Sequence, residues 1–156
     1  MDTNPPTESK SSQTRATVPR VLYLVAAIPT VLGVAHHVDH VVRGNHVGWP
    51  LTPEINPFTF SLVVYPLLAV GVYLTETGRA GIRYWTAFFA GSTGLVAVVH
   101  LSPWAVEPPA EVIGPYESPV AGYAAFVVLA VLIGSLAVAT GWAAVRWRRA
   151  TGRGSA

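Results

Sequence analysis

A chain of 156 residues has room for one modest domain, and its composition narrows the choice further. Apolar residues are 51% of the chain and charged residues 12%, about half the charged share of an ordinary soluble domain. With mean hydropathy at +0.44, that excludes a water-soluble globule. The chain has no cysteine, which removes disulfides, thiolate metal sites, iron–sulfur clusters and thiol nucleophiles together. A net charge of +2 offers no case for nucleic acid as a partner.

Residues 1–20 are polar and rich in Pro, Ser and Thr, with too little apolar surface to bury, and read as a disordered leader. Four apolar stretches follow: Val21 to Val42, Pro57 to Thr75, Ile82 to Leu101 and Pro119 to Val145. Each is close to the ~20 residues that a helix needs to cross the hydrocarbon core, and in lipid a helix satisfies its own backbone. The predicted fold is therefore all-α: an integral membrane four-helix bundle over residues 21–147, with a basic tail at 148–156. Asn56-Pro57 and Ser118-Pro119 read as helix caps followed by Pro at the first helical position. Gly78 and Gly81 mark a tight turn, and Pro66 is expected to kink the second span, as Pro29 is the first. Ala130, Gly134, Ala137 and Gly141 form a small-residue stripe in the fourth span of the kind that lets helices approach closely.

The charges orient the bundle. With four spans, one side collects Lys10, Arg15, Arg20, Arg79, Arg83, Arg146, Arg148, Arg149 and Arg153, and the other holds Arg43 alone. The positive-inside bias predicts N-in/C-in topology in the plasma (cytoplasmic) membrane, with a cytoplasmic leader and tail. Trp85, Trp142 and Trp147 fit an inner aromatic belt, and Trp49 and Trp104 an outer one. A rival reading takes residues 1–35 as a cleaved signal peptide ending at Gly33-Val34-Ala35. The lipid bilayer is the expected partner, with a homo-oligomer or a membrane partner subunit as further candidates.

All five histidines fall on the extracytoplasmic side. Four lie in HHVDHVVRGNH, residues 36–46, and His100 ends the third span. His36 and His40 sit one helical turn apart on one face. Asp39 and Arg43 share nearly the same stripe and are themselves four apart, while His37 points about 100° away from His36. Ionisable groups at a membrane boundary are costly in lipid, so the stripe is expected to turn inward, where His100 can meet it.

Three chemistries fit. A transition-metal site would use His36, His40 and His100 as ligands, with Asp39 as a further ligand or as the partner fixing a histidine tautomer. Arg43, His37 and His46 would support it or hold an anion. A haem between two facing histidines is the second, and a proton relay or pH sensor is the third. An enzyme acting on a lipid at the outer leaflet would need Asp39 or His100 as its acid or base. Against all of these stands a non-catalytic membrane subunit, or a small-solute or proton-linked carrier, whose histidines are merely interfacial. Glu107, Glu111 and Glu117 read as a solvated acidic loop rather than ligands. Thr86 and Thr93 are expected to bond their own helix carbonyls.

The segment HHVDH resembles the histidine boxes of membrane fatty-acid desaturases and hydroxylases. That family implies a cytosolic two-metal centre with eight or more histidines. Five histidines on the opposite side do not meet it, so the assignment is rejected.

Overall fold

A computed structural model of the chain describes residues 20–44 and 55–152. The described residues are helical, without strands, in the order α1 (Arg20–Arg43), α2 (Pro57–Ser61), α3 (Val64–Glu76), α4 (Ile82–Leu101), α5 (Pro109–Ile113) and α6 (Pro119–Gly152). Four helical stretches are long and apolar enough to cross a membrane, α2 and α3 counting as one, Pro57–Glu76. The leader (residues 1–19), the end of the basic tail from Arg153, and the segment carrying His46, Trp49 and Glu54 lie outside the described residues.

Local signals in the sequence set most of these boundaries. Asn56 caps α2: its side chain accepts from Thr59 N, and Thr59 Oγ1 accepts from Asn56 N, both at 3.0 Å. Both α2 and α6 begin on the predicted prolines. Gly78 adopts φ 71° in the turn from α3 to α4, a left-handed conformation that glycine takes without steric cost. Pro29 leaves α1 continuous. The break in the second span comes before Pro66, at Leu62–Val63. Pro66 lacks the N–H that would bond the carbonyl of Leu62, and its ring crowds that carbonyl. Tyr65 N takes the Leu62 carbonyl instead, at 3.2 Å.

The core lies where α1, α4 and α6 meet. Leu22 and Ala26 from α1, Trp85 and Phe89 from α4, and Leu132, Leu136, Ala139 and Ala143 from α6 bury one another. The α6 residues recur at three- and four-residue spacing, so one stripe of a helix apolar all round does the packing. Two sequence expectations change here. Trp85 is 1% exposed and belongs to this core rather than to an interfacial belt, because its indole Nε1 donates to Thr75 Oγ1 at 2.9 Å inside the protein. Ala130, Gly134, Ala137 and Gly141 lie on the exposed side of α6, and a side chain added at Gly134 or Gly141 would meet nothing within 4 Å. The larger leucines have taken the packing face, so no described helix uses the small stripe for close approach. Trp142 and Trp147 sit under the guanidinium groups of Arg146 and Arg83, at 5.3 and 5.5 Å.

The four long helices do not close evenly. α6 packs on both α1 and α4, while α3 packs on α4. α1 is joined to the α2–α3 stretch by hydrogen bonds at two levels. Tyr23 donates to Glu76 at one end, and His37 meets Ser61 and Tyr65 at the other. Short α5 lies against the start of α6. Gly122 makes this approach feasible, since a Cβ there would fall 2.4 Å from the Ile113 carbonyl oxygen.

Candidate metal centre

α1 delivers His36 and His40 from one face, one turn apart, and α4 delivers His100 from its last turn. Their exposures are 5%, 3% and 3%, so these rings are buried against one another rather than spread along a surface. His36 Nε2 lies 3.1 Å from His40 Nε2 and 3.2 Å from His100 Nε2. A fourth group completes the set. Glu107 is fully buried, and its Oε2 sits 3.3 Å from His40 Nε2. Ligand atoms from all four residues lie within 4.8 Å of one another.

Glu107 corrects the sequence reading of its loop. The segment after α4 does not trail into solvent; it folds back over the helix end. Glu107 N donates to the Val99 carbonyl at 3.1 Å, and His100 Nδ1 meets the Glu107 carbonyl at 2.9 Å. Pro108 is extended, as the residue before a proline tends to be, and Pro109 starts α5, whose Val112 is fully buried. The docked α5 thus pins the loop that carries the carboxylate. Glu111 and Glu117 are exposed, as expected of a solvated loop.

The carboxylate in the cluster is therefore Glu107, and Asp39 stands behind it. Arg43 links the two. Its Nε and Nη2 each lie 2.7 Å from Asp39 Oδ2, and its Nη1 donates to Glu107 Oε1 at 2.6 Å and to the Glu111 carbonyl at 3.1 Å. Asp39 accepts a further hydrogen bond from the Tyr116 hydroxyl. Burial first, then the bond to Asp39, pushes the Tyr116 phenol above its ordinary range, so it stays a donor at neutral pH. A chain of charge-assisted bonds thus runs from Tyr116 through Asp39 and Arg43 to Glu107. It fixes one carboxylate oxygen and leaves the other aimed at the histidines.

The proton positions follow from the partners. A carbonyl can only accept, so His100 Nδ1 carries the proton of the neutral ring, and its Nε2 presents a lone pair toward His36. A second-sphere acceptor on the far nitrogen is the usual way a ligating imidazole is oriented. Lone pairs converging beside a carboxylate repel unless protons or a cation lie between them. A tetrahedral ion with metal–nitrogen bonds near 2.1 Å sets its ligand atoms roughly 3.4 Å apart. Three of the separations, His36–His40, His36–His100 and His40–Glu107, are 3.1–3.3 Å, close to that edge, and the full set lies within 4.8 Å.

His37 takes no part in this cluster. Its Nδ1 lies 2.8 Å from both the Gly33 carbonyl and the Tyr65 hydroxyl, and its Nε2 lies 2.8 Å from Ser61 Oγ. The span-three threonines do as expected: Thr86 and Thr93 donate to the carbonyls of Ile82 and Phe89, and Thr93 also meets Thr140 of α6 at 3.1 Å. Sequence reasoning missed Glu107, Tyr116, Ser61 and Tyr65. Only Glu107 carried a signal, an acidic residue followed by two prolines close after His100.

No protein family model, curated protein or solved structure matches the chain. What the residues themselves define is an all-helical protein with four helices of membrane-spanning length and a buried histidine–glutamate group able to hold a metal ion.

Proposed function

We propose that this is an integral membrane protein that binds one transition-metal ion through His36, His40, His100 and Glu107. The observation that carries the reading is the meeting of three buried imidazoles, their Nε2 atoms 3.1 and 3.2 Å apart, beside a buried carboxylate whose Oε2 lies 3.3 Å from His40 Nε2 and from His100 Nδ1. Three imidazoles and one carboxylate suit zinc, iron, copper or nickel. The same convergence favours a bare ion over haem, which needs a flat slot between two opposed imidazoles. Asp39, Arg43 and Tyr116 position Glu107. The ion would act as a Lewis acid or redox centre on whatever reaches it. Its three histidines also line a cavity, and a ligand set left accessible on one side is the mark of a working site rather than a structural one.

The positive-inside bias supports an N-in/C-in chain with the centre at the extracytoplasmic end. Because the chain has no cysteine, Trp104→Cys gives a single labelling site in the loop after α4. A membrane-impermeant maleimide should label it in intact cells, and labelling only after lysis would reverse the orientation.

Elemental analysis with a visible spectrum, on protein purified in detergent, tests the centre. We expect about one transition-metal ion per chain, lost in the His36→Ala/His40→Ala variant, with no haem band. Purified protein without metal ends the proposal, and a haem spectrum replaces it with the haem reading.

A further inference from the structure

Beside the histidine cluster lies a cavity of about 230 Å³, lined by α1, α2, α3, α4 and two leucines of α6. Its position follows from the uneven packing. Tyr23–Glu76 and His37–Tyr65 tie α1 to α3 at points fourteen residues apart on α1, about 21 Å of helix. Between these ties, below His36, α1 offers short side chains to the cavity at Ala26, Pro29, Thr30 and Gly33, and α4 offers Gly91 among larger residues. A Cβ built on Gly33 or Gly91 would meet nothing within 4 Å.

The lining is graded. At the cluster end are His36, His40 and His100, with the polar trio His37, Ser61 and Tyr65 beside them; toward the Trp85 end the walls are Phe88, Phe89 and Leu136. This grading selects for an amphiphile. In a bilayer, hydrocarbon gains almost nothing by leaving lipid for an apolar cavity, because lipid tails are as apolar as leucine. Selective occupancy must come from a polar atom that finds partners here and none in the lipid core. A cavity of ~150 Å³ holds benzene, so this one takes roughly nine heavy atoms.

We propose that the cavity between α1, α3 and α4 binds a medium-chain amphiphile with one terminal oxygen, entering from the bilayer between the two ties. Its oxygen lies among the Ser61 and Tyr65 hydroxyls and the metal centre, and its hydrocarbon body extends toward Phe88 and Phe89. The metal as partner of that oxygen rests on the function proposed above, whereas the cavity and the Ser61–Tyr65 pair do not.

Photolabelling of the full chain in lipid nanodiscs tests this, using octanol carrying a diazirine, with metal content measured on the same sample. Label should concentrate on Leu95 and Val96, which line the cavity, over the exposed Val98 and Val127. Gly33→Leu and Leu95→Trp, which fill the cavity from opposite walls, should each reduce cavity labelling at least tenfold. Ser61→Ala with Tyr65→Phe should reduce it about fivefold, the size of a lost hydrogen bond. A diazirine-bearing octane without the oxygen should show no preference for the cavity. Even labelling of cavity and lipid-facing residues, or labelling unmoved by both filling variants, overturns the amphiphile site whatever the metal content. Cavity labelling in protein that carries no metal supports the amphiphile site and removes only the metal.

Discussion

The two ends of the helix array are built from the same helices, α1, α4 and α6, and are filled in opposite ways. At one end Leu22, Trp85, Phe89, Leu136 and Ala143 interdigitate, and the single polar atom of Trp85 has its partner in Thr75. At the other, α1 and α4 bury two histidines and a third, and the loop after α4 adds Glu107 and brings it to Arg43. Apolar packing needs nothing from outside the chain. Buried imidazoles and carboxylates need partners, and here the rings meet one another and Glu107, which in turn meets Arg43. The contrast teaches that the Trp85 end explains why the helices associate, while the histidine end gathers imidazoles and a carboxylate into a group that could hold a metal ion.

Several substitutions would break or sharpen this contrast. The largest effect is expected from His36→Ala/His40→Ala, which should take bound metal from about one ion per chain to near none while leaving thermal unfolding in detergent largely intact. Trp85→Ala should do the reverse, lowering stability by about 3 kcal/mol through the cavity it leaves, read from thermal unfolding, with metal content unchanged. If Trp85→Ala also strips the metal, the two ends are one cooperative unit and the contrast fails. Asp39→Asn should weaken metal about 10- to 100-fold in a competition titration with a chelator, because orienting partners contribute on that scale, and Glu107→Gln, which removes a charged ligand, should weaken it at least as much. Tyr116→Phe removes one hydrogen bond from the same chain and should cost only about threefold to tenfold. Acidification should release the ion: histidine must be neutral to ligate, so protons compete with the metal for each ring and occupancy falls as pH drops. A titration of retained metal against pH checks this, and an occupancy that does not change with pH would contradict an imidazole site.

How much of this was legible beforehand differs between the same two regions. The helices were readable from length and apolarity, and α2 and α6 start on the prolines that the capping pattern marked. His36 and His40 were readable as a pair because helical periodicity puts positions four apart on one face, and the expectation that His100 could meet them agrees with the 3.2 Å contact to His36. Glu107 was not readable. No periodicity governs a loop, and its burial depends on α5 docking against Gly122, a contact between segments that neither sequence announces. Trp85 was misread for a related reason: an indole near a helix end suits an interface equally well until Thr75 is seen to take its N–H.

Apolar content, charge spacing and helical periodicity are properties of the chain itself. They determined that four helices form and that His36 shares a face with His40. Where the helices pack, which carboxylate reaches the imidazoles and where a cavity is left depend on shape complementarity between segments far apart in sequence. Those were decided only when α3 packed on α4, leaving a space beside α1, and when the loop after α4 folded back to bury Glu107.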